Sequence, residues 1–242
     1  MLRLTCLAIV SLSACARSTA PPARPLAPAE VVIPALVEMT RGPGLTPYVD
    51  RLYALGWSDD GRRFAYAIER ADEACGCLTV DVHLAGSTNG LLWWSDHYVS
   101  DEGPQGSRDA IDFLELWASR GAEWTAALRA RGITQAPTSA LTPLPIGGAT
   151  VPRFEIETTA VGADAEFGFA HLTSYDVRIV RDAPQAVARF DAGDRAGPLA
   201  VTVAGYVDAP DREHAVAVIV ETWRGWEGQQ QVKTVRVVSA TI

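Results

Sequence analysis

From residue 153 to the C terminus the chain is written in short alternating apolar runs separated by turn residues, and that punctuation commits it to a β-rich fold. The runs are 153–159, 166–171, 175–181, 186–190, 199–207, 214–223 and 231–239. Residues 215–220 are apolar at every position, so they predict a central strand covered on both faces.

The first half adds hairpins and a helix. Residues 52–57 and 63–68 flank Ser58-Asp59-Asp60-Gly61, where Asp starts a turn and Gly supplies the positive φ that closes a short hairpin. Phe64, Tyr66 and Ile68 alternate with Ala65 and Ala67, so neither face of the second strand is polar. Residues 78–84 alternate Leu78, Val80, Val82 and Leu84 with Thr79, Asp81 and His83, the pattern of a half-exposed strand. Residues 91–94 are a further candidate strand. Residues 107–131 predict the one long helix. Ser107 is its N-cap, and Asp109 and Asp112 sit where the helix dipole favours them. Ala110, Leu114, Trp117, Gly121, Trp124 and Leu128 form its apolar stripe. Arg129 and Arg131 fall in its last turn, and Gly132 is its stop. Residues 134–152, rich in Pro and Gly, read as loop. The expected class is mainly β with one long helix (α+β), its antiparallel hairpins forming an incomplete propeller-like or a sandwich sheet. An acidic turn, a charged pair and an apolar strand ending at Glu recur at 60–69 and 211–221. Two generic hairpins account for this echo as well as blade-like repetition does.

The start of the chain is of another kind. Arg3 precedes an apolar run from Leu4 to Ala14, too short to span a bilayer, which takes ~20 apolar residues. The run ends in Leu12-Ser13-Ala14-Cys15, which resembles a lipobox, the processing signal of bacterial lipoproteins. The resemblance implies export, cleavage before Cys15 and lipidation of that cysteine. Ala16 and Arg17 follow, with no Asp, which in Gram-negative lipoproteins implies the periplasmic face of the outer membrane. Residues 16–29 are a Pro/Ala tether, and 41–47 carry two more prolines and two glycines. The expected division is a signal peptide at 1–14, lipid anchor and tether at 15–46, and one β-rich domain at 47–242.

Removing 14 residues from 242 leaves 228, enough for a sizeable core at 48 % hydrophobic composition. The net charge is −8, and loss of Arg3 leaves 20 basic against 29 acidic residues, or −9. That argues against nucleic acid and against an anionic lipid surface as partners.

Cys6 leaves with the signal and Cys15 is the lipid site, so Cys75 and Cys77 remain. In an oxidising compartment such a pair is expected as a disulfide, here closing a very small and strained ring. A structural staple at the start of a strand is the first reading. A redox-active pair and a pair of zinc thiolates are the alternatives, the last needing two further ligands.

The stretch from Tyr53 to Tyr66 resembles the Ser-Pro-Asp-Gly hairpin of propeller proteins. More closely, it resembles the opening of a family of predicted secreted bacterial proteins of unknown function. That family runs from hairpin and strand to a helix ending in Gly-Ile, here Gly132-Ile133, and on to a β-rich half. The segment from Trp223 to Gly228 resembles its late Gly-aromatic-Glu-Gly turn. This chain departs from the family in having Asp59 where Pro is usual and in the Cys-Gly-Cys insertion. The resemblance implies no activity and no site residues.

No nucleophile elbow, zinc-protease motif, phosphate loop or dinucleotide fingerprint is present, and no cofactor is expected. His83, His97, His171 and His214 are each isolated in sequence. Residues 96–103 read as an oxygen-rich loop without the spacing of an EF-hand. Trp94, Trp223 and Trp226, with Trp93, are the candidate aromatic surface for sugar or peptide, although neighbouring Trp93 and Trp94 would point opposite ways on a strand. The expected function is a non-enzymatic, membrane-anchored envelope module that binds an envelope protein or glycan. The alternative is an envelope hydrolase or a thiol-redox protein using Cys75 and Cys77.

Overall fold

The computed structural model describes residues 31–37, 50–71, 78–86, 96–99, 113–137, 141–142, 153–163, 169–180, 184–192, 197–225 and 231–242. In chain order the elements are β1 (Ala35–Leu36), β2 (Arg51–Ser58), β3 (Arg63–Ala71), β4 (Leu78–Gly86), β5 (Asp96–Val99), α1 (Phe113–Ala130), β6 (Ile133–Gln135), β7 (Arg153–Ala163), β8 (Ala170–Val180), β9 (Pro184–Asp191), β10 (Ala200–Asp208), β11 (His214–Arg224) and β12 (Gln231–Thr241). They make three antiparallel sheets. Sheet A runs β1-β2-β3-β4-β5, with β6 also pairing β2; sheet B is β10-β11-β12 and sheet C is β7-β8-β9.

Successive side chains of a strand point to opposite faces, and that alternation decides the packing. On β3, Phe64, Tyr66 and Ile68 enter a core shared with Val216, Val218, Val235 and Val237 of sheet B. Ala65 and Ala67 face the other way, into a core with Phe113, Leu116, Trp117, Trp124 and Leu128 of α1. On β11, Ala215, Ala217 and Ile219 meet Phe154, Tyr175, Val177 and Ile179 of sheet C. The result is four layers: helix, sheet A, sheet B, sheet C. Strands β3 and β11 are apolar on both faces because both faces are covered. Strand β4 turns Val80, Val82 and Leu84 to the helix, as its alternation predicts.

Layer order is not chain order. Sheet B is last in the chain but lies between A and C. A propeller sets consecutive sheets side by side, so the layered sandwich, of the two arrangements expected, is the one present. The two echoing segments are hairpins in adjacent layers and are built alike. Each has a register shift at a glycine of its first strand, Gly56 in β2 and Gly205 in β10. In the first turn Ser58 Oγ accepts the Arg63 N–H at 2.9 Å and Gly61 sits at φ +66°. In the second, Asp211 Oδ1 accepts the N–H groups of Glu213 and His214 at 2.9 and 3.1 Å. The turns touch: Gly61 abuts the Asp211 carboxylate so closely that a side chain would collide with it.

The helix begins where a strand receives it. The Phe113 N–H donates to Oε2 of Glu69 at 3.0 Å, and Arg51 holds the other oxygen at 3.0 Å. Glu69 on β3 is buried, so it supplies from sheet A an acceptor that the helix start needs. Gly132, at φ +80°, ends the helix as expected. Ser107, Asp109, Ala110 and Asp112 lie outside the described residues. The apolar stripe differs from expectation at Leu114, which is half exposed. The buried face is centred on Phe113, Trp117 and Trp124, with Leu116 and Leu128 beside them, and leaves Leu114 on its outer edge. The small size of Gly121 serves the helix itself. A Cβ there would meet the Trp117 indole, whose N–H donates to the Val32 carbonyl at 2.8 Å.

That last bond corrects the expected start of the domain at residue 47. Val32 also donates its N–H to Thr125 Oγ1, β1 pairs with β2, and Val37 is buried in the core between sheets A and B. Residues 31–37 find all these partners far away in sequence, so no local signal distinguishes them from the tether before them. Three further expectations change. The described ends of two expected runs, residues 170–171 and 175–180, lie in one strand, β8, because Leu172 and Ser174 continue the pairing with β7. Residues 96–99, read as loop, pair with β4. Residues 133–135, at the start of the expected loop, pair with β2. The candidate strand at 91–94 lies outside the described residues.

Trp124 is 1 % exposed and stacks among Phe113 and Trp117 beneath sheet A. Trp124→Ala is expected to cost ~3–5 kcal/mol, read as a lower urea midpoint with the m-value unchanged.

Candidate functional site

On β11 the positions facing sheet C run Ala215, Ala217, Ile219 and then Glu221 and Trp223. On β12 the same face runs Ala240 and Val238, then Arg236 and Thr234. The layer between B and C is therefore apolar at one end and polar at the other. At the polar end Leu172, Thr173, Tyr175, Phe190, Glu221, Trp223 and Arg236 are among the lining of a cleft of about 100 Å³.

Glu221, 2 % exposed, is the centre of this end. Its Oε1 accepts the Tyr175 hydroxyl at 2.5 Å and Arg236 Nε at 2.6 Å. Its Oε2 accepts Trp223 Nε1 and Thr234 Oγ1, each at 3.2 Å. Two carboxylate oxygens offer about four lone-pair sites, and four donors occupy them. Burial pushes the Tyr175 hydroxyl well above the usual tyrosine range, and its bond to Glu221 pushes it further. Tyr175 therefore stays protonated and keeps donating. The Arg236 guanidinium lies over the Phe190 ring at 4.8 Å, and Tyr175 stacks on the same ring at 5.0 Å. A carboxylate so enclosed holds the wall in place. It has no lone pair left with which to take a proton from a substrate.

A second buried carboxylate, Asp50, has a different setting. Its Oδ2 accepts Arg70 Nε at 3.1 Å and the Val235 N–H at 3.0 Å, which joins sheet A to sheet B. Burial holds its pKa above the usual aspartate value despite Arg70. Arg70 also reaches Asp81 at 3.0 Å. This cluster links layers and lines no described cleft.

Of the candidates named from the sequence, Trp223 is brought to the cleft. Trp93, Trp94 and Trp226, and the cysteines Cys15, Cys75 and Cys77, lie outside the described residues. The histidines stay apart. His83 on β4 stacks on Tyr66 at 5.0 Å. His171 is buried in β8, and His214 pairs with Asp211 at 2.6 Å. His97 falls on β5. Among the described residues no group of three or more His, Cys, Asp or Glu side chains is placed to hold a metal. Sequence reasoning missed Tyr175, Glu221, Phe190 and Arg236. A signal was present on β11, where a buried apolar face turns to Glu at one alternate position. Which residues of sheet C meet that face is invisible in the sequence.

Comparison with protein-family models, with curated proteins and with solved structures finds no match to this chain.

Two outcomes follow from these geometries. Tyr175→Phe removes a donor to a buried carboxylate and is expected to cost ~1.5–3 kcal/mol in urea unfolding, with the far-UV spectrum unchanged. Burial lowers the pKa of His83, against the opposing pull of Asp81. The folded state thus binds the proton less tightly than the unfolded one. The stability tied to neutral His83 is complete above the ordinary histidine value and is lost as pH falls through the folded value. Unfolding free energy measured between about pH 7 and 5 is expected to fall, and His83→Phe to flatten that fall.

Proposed function

We propose that the chain is an exported lipoprotein of the cell envelope, anchored through Cys15, that acts as a non-enzymatic binding module, with the cleft between sheets B and C as its binding surface. One observation carries the binding half of this reading. The only carboxylate buried in the described cleft has its acceptor sites filled by four donors of the protein itself. A wall fixed in this way suits holding a ligand better than transferring its protons. Trp223, expected from the sequence as part of an aromatic ligand surface, lines that wall.

The anchoring half is supported by Leu12-Ser13-Ala14-Cys15 after a short apolar run, and by the Pro/Ala stretch that separates it from residue 31. Among the described residues no helix is long and apolar enough to cross a membrane. A lipidated cysteine would supply the acyl chains that stable attachment takes. The partner is then an envelope component, protein or glycan, and the chain's acidity makes nucleic acid a poor one.

Cys15→Ser tests the anchor. The variant is expected to leave the membrane fraction for the soluble fraction after cell lysis. Mass spectrometry of the wild-type N terminus is expected to show an acylated Cys15. A variant that still sediments with membranes overturns the anchoring half.

A further inference from the structure

We infer that residues 31–36 and the flank of α1 beside them form a second membrane contact, with which the folded domain rests on the uncharged lipid surface that holds its own anchor. The inference rests on the reading of Cys15 as a lipid site and adds to it a contact made by the domain itself.

Of the six large apolar side chains exposed among the described residues, four are Val31, Ile33, Leu36 and Leu114, with Ile33 80 % exposed. The contacts of the fold bring these four to one edge. Trp117 Nε1 donates to the Val32 carbonyl at 2.8 Å, and the Val32 N–H donates to Thr125 Oγ1 at 3.1 Å. Val31 and Ile33 therefore flank the middle of α1. Leu36 lies opposite Tyr53 in the β1–β2 ladder. Opposed residues of a ladder share a face, so Leu36 stands on the helix side of sheet A. There the Tyr53 ring lies 4.5 Å from that of Phe113, the neighbour of Leu114. Segment 31–36 thus runs along the helix from Thr125 back towards its start. Positions 118 and 122 lie on the same side of the helix as Leu114 and Thr125, and both are exposed alanines. Glu115 and Arg129 stand in the first and last turns. Between them this flank is apolar and uncharged.

The length of chain leading to this strip points to lipid as its cover. From Cys15 to Val31 is a step of 16 residues, which spans at most ~55 Å. The strip begins where the anchored chain enters the fold, so it is never far from the bilayer. Attachment also makes the docking intramolecular, and a weak contact then suffices because its target is held at high effective concentration. A second copy of the chain fits less well. A stable protein interface takes ~20–30 residues a side, and four partly exposed side chains with two alanines fall short of that. Charge selects the kind of lipid. An uncharged strip on a chain of net charge −8 suits a zwitterionic surface and is repelled by an anionic one. Sheet C is the layer furthest from the helix, so docking of this kind leaves the cleft beside it clear of the lipid.

The test uses the full chain, purified from membranes and reconstituted in phosphatidylcholine vesicles that include a phosphatidylcholine with a diazirine on its acyl chain near the headgroup. After illumination and digestion, mass spectrometry is expected to find lipid adducts on peptides covering 31–36 and 114–122. Ile33→Asp is expected to lower both sets of adducts ~10-fold while acylation of Cys15 and sedimentation with membranes are unchanged. Ile33 is too exposed for that change to disturb the fold. Val161→Asp, at an exposed apolar side chain of sheet C, is expected to leave the adducts as they are. Adducts confined to residues before 31, or lowered equally by Val161→Asp, overturn the docking and leave the anchor standing. Hydrogen-exchange protection of the two peptides that rises with the concentration of lipid-free Cys15→Ser chain assigns the strip to a second copy and also overturns the inference. A wild-type chain that carries no acyl group on Cys15 overturns the anchor reading itself.

Discussion

Neither face of β3 or β11 can meet water without exposing a row of apolar side chains, so sheets A and B must each be covered twice. Burial of apolar area is the dominant favourable term in folding, and here it dictates the number of layers. Sheet A finds the helix on one side and sheet B on the other. Sheet B then needs sheet C for its remaining face. The helix matches its partner in size as well as polarity. Alanines at positions 65 and 67 of β3 leave depth for Trp117 and Trp124.

Apolar contact is not directional and fixes the alignment of stacked layers only loosely. Each of the three layer boundaries also carries one buried carboxylate that reaches across it. Glu69 joins sheet A to the first turn of the helix, Asp50 joins sheet A to Val235 of sheet B, and Glu221 joins sheet B to Tyr175 of sheet C. Burying a charge is costly unless all its partners are present, so each of these carboxylates penalises any stacking in which the layers are displaced. The cleft is one product of this arrangement. It lies where the apolar face of sheet B gives way to Glu221, Arg236 and Trp223.

Much of the fold is legible in the sequence because period-two alternation is local. The hairpins around residues 58–61 and 209–213, the helix ending at Gly132 and the central place of β11 could all be read from neighbouring residues. What escaped was non-local. Residues 31–37 look like the continuation of a tether until Thr125 and Trp117 hold Val32. Leu114 looks like a core position until the direction of sheet A is known. The candidate site was legible to the extent of one residue, Trp223. Tyr175 and Glu221 lie on different sheets, and only the stacking of B against C makes them partners.

Sheet B, which lies between sheets A and C, is formed by residues 200–241, after every strand of those two sheets. Sheet A and the helix can associate early, and the hairpins of sheet C can form locally. Until residues 200–241 arrive, Trp57, Phe64, Tyr66 and Ile68 on one side and Phe154, Val177 and Ile179 on the other face water. A chain delivered N terminus first thus cannot bury its two main cores in sequence. It closes them together when the three strands of sheet B take their place between the two waiting surfaces. Such long-range pairing is slow, and it exposes sticky surface in the meantime. The topology therefore ties the closure of both cores to the arrival of residues 200–241 rather than letting each core close in turn.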